Sequence, residues 1–272
     1  MNKNPFEMVH LPLRRSIDKP RKTGLTVVVD FGEPMELVDS YLGMAHRFID
    51  LWKIAVGSAR LYEEKYFLKK LDLLKHNRVS SFIGGQFMEY VFATQGWGGL
   101  KPFFEESKRL GITTLEVSDN CVPLQDEERE RMIRMVADAG FLVHGEVGSK
   151  DFKQPANELI RQANICIEAG CEFVLVEAAE LFIDGKVQTE LVTAIHTGFD
   201  PKRLMIELPG FWIKSTTQNV VFEMMKFLVS TFGPDANIAN VPAHQVMMLE
   251  SLRTGLGVVG PYNCLDPDSS NR

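Results

Sequence analysis

Four glutamates recur within otherwise apolar, strand-like segments of the chain. They are Glu116 in LEVSDN, Glu146 in GEVGSKD, Glu177 in VEAAE and Glu207 in IELPG. A carboxylate inside an apolar strand is costly unless it is paired or bound to a metal. Because side chains alternate along a strand, all four can point into one interior. Oxygen-only donors favour a hard cation, so the pattern predicts a Mg²⁺ site, with an internal salt-bridge network as the alternative.

Two lysines accompany these carboxylates. Lys53 lies within the strand-like segment DLWKIAVG, where loss of water would lower its pKa and suit it to acid–base or Schiff-base chemistry. The alternative is a structural counter-ion to a neighbouring glutamate. Lys150 follows a strand in a GSKD turn, and from its position alone it could equally be a solvated loop lysine.

Other polar residues stand where strand-like segments end, and we assign them to substrate binding. They are Asp30, Gln86, Ser118 and Asn240. Loops that follow the strands of an α/β barrel carry the chemistry of such enzymes, so these side chains would surround the glutamates.

Eight short apolar segments supply the strands that must position these residues. They span 24–32, 50–57, 79–85, 113–120, 141–148, 172–180, 203–210 and 237–242. Amphipathic segments with helical periodicity lie between them, several closing on glycine. Eight alternating units predict a single (β/α)₈ TIM barrel over residues 23–258, with an N-terminal arm (1–22) and a C-terminal tail (259–272). An open doubly wound sheet is disfavoured because no GxGxxG follows the first strand.

Composition excludes several classes of function. The net charge of −6 over 272 residues argues against nucleic-acid binding. No apolar run approaches the roughly 20 residues needed to cross a bilayer, and the first residues lack the apolar region of a signal peptide. We therefore expect a cytoplasmic protein without membrane partners. The cysteines form no CxxC pair and the histidines lack zinc-site spacing, which argues against a zinc enzyme.

The chain resembles the phosphosulfolactate synthase family from about residue 20 to residue 257. The pieces that carry the resemblance are GLTVVVD, DLWKIAVGSA, IGGQFMEY, LEVSDN, GEVGSKD, VEAAE, IELPG, NIANV and LESLRTGL. The resemblance implies a Mg²⁺-dependent lyase that adds sulfite to phosphoenolpyruvate, with Lys150 as the general acid. We assign catalytic roles to Lys150, Lys53 and Glu146, and we expect a homo-oligomer.

Departures from the family pattern concern anion binding. Two family arginines fall on Ala179 and Gly257, while Arg253 remains available for one anionic group. Apolar residues stand at and near the altered positions, namely Ala179, Leu181, Phe182, Phe211, Trp212 and Val258. These changes predict a carbon–sulfur lyase with an altered substrate, a small anionic enol or enoate that combines with a small nucleophile. The alternatives are a non-catalytic, stress-associated relative and a Schiff-base aldolase that uses Lys53.

Overall fold

Eight parallel strands close into a barrel in the computed structural model of the protein, which describes residues 4–9, 11, 15, 17–149 and 153–256. The barrel strands are β1 (Thr26–Asp30), β2 (Leu51–Ile54), β3 (Ser80–Ile83), β4 (Thr114–Val117), β5 (Leu142–Val147), β6 (Phe173–Val176), β9 (Leu204–Glu207) and β10 (Ile238–Val241). Pairing of β1 with both β2 and β10 closes the sheet. The predicted (β/α)₈ barrel is thereby confirmed.

Helices follow the strands and cover the outside of the barrel. They are α1 (Met35–Ala45), α2 (Glu64–His76), α3 (Gly85–Gln95), α4 (Trp97–Arg109), α5 (Asp126–Asp138), α6 (Ala156–Ala169), α7 (Ala178–Leu181), α8 (Thr189–Gly198), α9 (Gln218–Phe232) and α10 (Val246–Thr254). Their buried apolar faces and the outward faces of the strands form the larger of two hydrophobic clusters. None of the described helices is both long enough and apolar enough to span a bilayer.

A smaller apolar cluster fills the inside of the barrel below the glutamates. Its buried members are Leu25, Val27, Phe82, Leu175, Met205 and Ala239. Residues two apart on a strand face the same side, so Met205 on β9 places Glu207 one layer higher, and Leu175 places Glu177 likewise. His144, two residues before Glu146, packs edge-on against Phe82, and burial lowers its pKa to about 4. The glutamates thus lie directly above a packed, uncharged layer of the barrel interior.

Two features of the fold were missed from the sequence. The segment after β3 forms two helices, α3 and α4, separated by Gly96 at a φ of +62°. Glycines and Pro102 interrupt the apolar periodicity there, which hides the second helix. The sixth strand was predicted to run to residue 180, but it ends at Val176 because α7 follows, and then the antiparallel hairpin of β7 (Phe182–Ile183) and β8 (Lys186–Val187).

Two arginines of the N-terminal arm contact the end of the barrel where the strands begin. Arg21 forms two hydrogen bonds to the carboxylate of Asp50, at 2.9 and 2.8 Å, and Arg15 pairs with Glu250 at 3.0 Å. The division into an arm, a barrel and a tail stays a prediction, and the tail 259–272 lies outside the described residues, as do Gly257 and Val258.

Candidate active site

Three of the four predicted glutamates converge at the end of the barrel where the strands terminate. Glu146, Glu177 and Glu207 each bring a carboxylate oxygen within 4.8 Å of the others, and all three side chains are buried. They come from β5, from the end of β6 and from β9. Such a group of oxygen donors fits a hard divalent cation such as Mg²⁺. We call these three residues the carboxylate cluster.

Burial and neighbouring carboxylates both oppose the ionisation of Glu146 and Glu207. Burial, followed by the charge of Glu207, raises the pKa of Glu146 well above its ordinary value despite the nearby Lys53. Burial also raises the pKa of Glu207 to about 7, with Glu177 and Glu116 adding to the effect. A cation placed between such carboxylates would stabilise their ionised forms and lower their pKa values.

Glu116 belongs to an ion pair instead of the carboxylate cluster. One of its oxygens accepts a hydrogen bond from the backbone N–H of Gly85 at 2.7 Å, at the start of α3. The other oxygen lies 3.0 Å from Nζ of Lys53. Both oxygens are therefore engaged by protein groups, and we leave Glu116 out of the proposed metal ligands.

Lys53 links the ion pair to the carboxylate cluster. Its Nζ lies 3.0 Å from Glu207, 3.0 Å from Glu116 and 4.0 Å from Glu146. Burial by itself would lower the pKa of Lys53, but these three carboxylates outweigh burial and raise the pKa well above its ordinary value. The expectation of a lowered pKa was therefore wrong, because it counted the loss of water and omitted the partners. This arrangement of Lys53 matches two alternatives kept open from the sequence. One is Lys53 as a structural counter-ion, and the other is an internal salt-bridge network.

The carboxylate cluster opens into a cavity of about 470 Å³ at the mouth of the barrel. Gln86 and Asn240, both assigned to substrate binding, line this cavity. Asn240 adopts a left-handed backbone with a φ of +55°, and among the described residues its buried Oδ1 atom has no hydrogen-bond partner. An unsatisfied buried amide oxygen beside a cavity is suited to accept a hydrogen bond from a ligand or to ligate a cation.

Two assignments to substrate binding are not supported by the positions of the side chains. Asp30 is fully buried on the outward face of β1, where its carboxylate accepts a hydrogen bond from Trp52 and pairs with Lys70. Ser118 is buried and donates its hydroxyl hydrogen to Glu89. Neither side chain lines the cavity. Both residues hold the loops around the site in place.

Arg253 lies at the opposite end of the barrel. Its guanidinium donates to the backbone carbonyls of Ala236 at 2.8 Å, Leu25 at 3.2 Å and Pro234. Leu25 and Ala236 precede the first residues of β1 and β10. The helix α10 runs from the mouth of the barrel back to its base, so a residue in its last turn ends far from the site. The assignment of Arg253 to an anionic substrate group is therefore wrong.

The predicted apolar lining is correct in part. Phe211 and Trp212 line the cavity, whereas Leu181 and Phe182 are buried in the core. Ala179 is buried and does not line the cavity. Phe31 and Val56 also line the cavity and were missed, although each is the next-to-last residue of a predicted strand segment.

Two buried glutamates outside the carboxylate cluster anchor loops at the mouth. Glu89 accepts hydrogen bonds from the backbone N–H groups of Cys121 and Val122, at 2.7 and 2.8 Å. Glu180 accepts from the N–H of Ser149 at 2.9 Å with one oxygen and from that of Gln154 at 3.1 Å with the other. Glu180 therefore fastens both flanks of the segment 150–152, which contains Lys150. That segment lies outside the described residues.

Fold and site together define a (β/α)₈-barrel protein with an acidic centre at the carboxyl ends of its strands. Its sequence matches the family described as (2R)-phospho-3-sulfolactate synthase (ComA) over residues 14–258. The chain belongs to this family, and the resemblance inferred from its sequence is confirmed.

Individual relatives agree with this membership. The chain is 30% identical over 244 residues to a phosphosulfolactate synthase of Methanocaldococcus jannaschii, covering 86% of this chain and 92% of that protein. It is 29% identical over 264 residues to one of Bacillus subtilis, covering 93% and 97%. It is also 22% identical over 268 residues to Protein HEAT-STRESS-ASSOCIATED 32 of Arabidopsis thaliana, covering 87% of each chain.

Solved structures with a similar fold include aldolases and synthases. A 3-hexulose-6-phosphate synthase superposes with a TM-score of 0.53 at 13% identity, over 84% of this chain and 98% of that one. The YdjI aldolase of Escherichia coli K12 gives a TM-score of 0.53 at 12% identity, over 89% and 83%. At these identities the likeness establishes the barrel fold alone.

Proposed function

We propose that the protein is a Mg²⁺-dependent lyase that forms a carbon–sulfur bond by adding sulfite, or a related small nucleophile, to an enol or enoate. The observation that carries this proposal is the convergence of Glu146, Glu177 and Glu207 on one point. Family membership supports the reaction type. A bound Mg²⁺ would supply positive charge where negative charge develops on the carboxylate of the substrate.

The residues of the chain have separate tasks in this proposal. Glu146, Glu177 and Glu207 would hold the cation. Lys53 keeps Glu207 in place and balances charge, acting as a positioning residue. Asn240 offers an acceptor oxygen toward the substrate or the cation.

The proton for the addition is assigned to Lys150. The lone pair on sulfur would form a bond to the methylene carbon of the enol or enoate, and the electron pair of the double bond would shift toward the carbon beside the carboxylate. The Lys150 ammonium would then donate one proton to that carbon, and solvent would restore it. Glu180 supports this role because it anchors both flanks of the segment that contains Lys150.

The Schiff-base alternative is opposed by the surroundings of Lys53. A Schiff base requires a neutral amine, whereas the carboxylates around Lys53 favour its charged form. Borohydride trapping with a carbonyl substrate would give no covalent adduct at Lys53 under our proposal.

A matrix of substrates tests the proposed function. Enol phosphates and enoates would be combined with sulfite and small thiols, with Mg²⁺ or with a chelator, and product would be followed by mass spectrometry. We expect addition that requires Mg²⁺ and is lost in Glu207→Gln but not in Glu223→Gln, a change in an exposed glutamate of α9. With phosphoenolpyruvate and sulfite we expect weak turnover, because two family arginines are replaced. Equal product with and without Mg²⁺ would contradict the proposal.

A second candidate function is a non-catalytic, stress-associated one, favoured by the similarity to Protein HEAT-STRESS-ASSOCIATED 32. Retention of several costly buried carboxylates argues for chemistry instead. Absence of any product across the matrix, from protein shown to bind Mg²⁺, would favour this second candidate.

A further inference from the structure

Three aromatic side chains form the outer edge of the cavity. Phe31 follows β1, and Phe211 and Trp212 follow β9. Their ring centroids lie 5.0 Å apart for Phe31 and Phe211, 5.1 Å for Phe31 and Trp212, and 5.3 Å for Phe211 and Trp212. We call these three residues the aromatic rim. Phe211 is 79% exposed, a costly position for a large apolar ring.

Neighbouring residues hold the aromatic rim in position. The carboxylate of Asp30 accepts hydrogen bonds from the backbone N–H groups of Gly32 and Glu33, both at 2.7 Å, and so fixes the turn that carries Phe31. The ring of Trp212 folds over Gly210, where a Cβ atom would lie only 1.9 Å from it. The conformations of the two loops therefore fix the positions of Phe31 and Trp212 in the aromatic rim.

The charges of the cavity are segregated from this rim. Among the described lining residues the ionisable side chains are Lys53 and four glutamates, all at the inner end. Lys53 is the single cation of that set, and its ammonium is already engaged by carboxylates. A second anionic group of a ligand would need a cation at the outer end of the cavity. Among the described lining residues, aromatic rings stand there instead.

The size of the cavity also exceeds the needs of a three-carbon acid. Its volume of about 470 Å³ falls within the range of sites for much larger ligands. A ligand whose acidic end reaches the inner carboxylates would extend past Val56 to the aromatic rim.

We propose that the aromatic rim is a subsite for an uncharged planar group, so that the substrate carries an aromatic or similar apolar moiety opposite its acidic end. This inference rests on the proposed function only for the acidic end, which would meet the cation. Packing of a ligand ring against Phe31, Phe211 and Trp212 would supply affinity through apolar burial and edge-to-face contacts.

Binding of matched probes tests the subsite. Phenylpyruvate and pyruvate share an acidic end and differ by a ring, and calorimetric titration of the Mg²⁺-loaded protein would measure both. We expect phenylpyruvate to bind roughly tenfold more tightly or better, given the apolar area of one ring. Phe211→Ala and Trp212→Ala should reduce this preference, and Gly210→Ala should do so by displacing the Trp212 ring. Tyr90→Ala, which removes an exposed ring of α3 outside the cavity, should leave the preference unchanged.

Several results would overturn the subsite. They are equal affinity for the two probes, a preference that survives both rim substitutions, and no saturable binding of phenylpyruvate. Stronger binding of tetramethylammonium would also overturn it, in favour of a cation cage. A separate Mg²⁺ titration distinguishes the two proposals. Ring preference without Mg²⁺ binding would refute the proposed function alone, and Mg²⁺ binding without ring preference would refute the subsite alone.

Discussion

Lys53 on β2 and Glu207 on β9 meet inside the barrel with Nζ and Oε1 3.0 Å apart, although 154 residues separate them in the chain. The same ammonium also neutralises Glu116. One lysine therefore offsets part of the repulsion among four buried carboxylates.

Replacement of this lysine should destabilise the protein most when no cation is present. Lys53→Met leaves buried carboxylates without their partner, a change that costs about 3–5 kcal/mol in the free energy of unfolding. Mg²⁺ should restore part of that loss because it supplies the missing positive charge. Urea unfolding with Mg²⁺ and with a chelator measures both effects. An unfolding midpoint that matches the wild type without Mg²⁺ would refute this description of the site.

Glu180 should act on turnover through the segment it anchors. Glu180→Ala removes the acceptor for the N–H groups of Ser149 and Gln154, two hydrogen bonds to a charged group that together contribute about 3 kcal/mol. We expect faster hydrogen exchange at both amides and a lower kcat with a smaller change in KM. Glu172→Ala, an exposed change before β6, serves as the control. Unchanged exchange at the two amides would show that the anchor is dispensable.

Lys150→Ala should preserve the fold and lower kcat by roughly 10²-fold or more, the usual size of a general acid contribution. Lys186→Ala removes an exposed lysine from the β7–β8 hairpin and should have no such effect. Thermal unfolding checks that both variants are folded. Wild-type turnover by Lys150→Ala would eliminate this residue as the proton donor.

Replacement of Arg253 distinguishes a structural role of this residue from a role in substrate binding. Arg253→Met removes three hydrogen bonds to backbone carbonyls at the base of the barrel, two of them buried. We expect the free energy of unfolding to fall by roughly 3 kcal/mol or more, while KM of the folded variant stays at the wild-type value. A raised KM with unchanged stability would restore the role first assigned from the sequence.

The barrel was predictable because its strands and most of its helices carry their own periodicities. Side-chain direction at the strand ends was harder to predict. Both faces of β1 are buried, so apolar pattern alone does not reveal that Val29 faces inward and Asp30 outward. For Glu207 the direction followed from the repetition of glutamates over several strands.

Contacts between distant parts of the chain could not be derived from the sequence. The contacts of Lys53 with three carboxylates depend on the register of four strands. The hydrogen bond from Ser149 to Glu180 depends on where β6 ends. The aromatic rim brings together residues 180 positions apart in the chain, and only the turn after β9 aims Trp212 toward Phe31.

Calorimetric titration with Mg²⁺ tests the proposed metal centre. We expect one saturable site per chain in the wild-type protein. Glu177→Gln and Glu207→Gln should each weaken Mg²⁺ binding by roughly tenfold or more, since each removes a charged oxygen donor. Glu223→Gln, on the exposed face of α9, should bind Mg²⁺ like the wild type. Absence of Mg²⁺ binding, or binding that is equally tight in all three variants, would contradict a metal centre built from Glu146, Glu177 and Glu207.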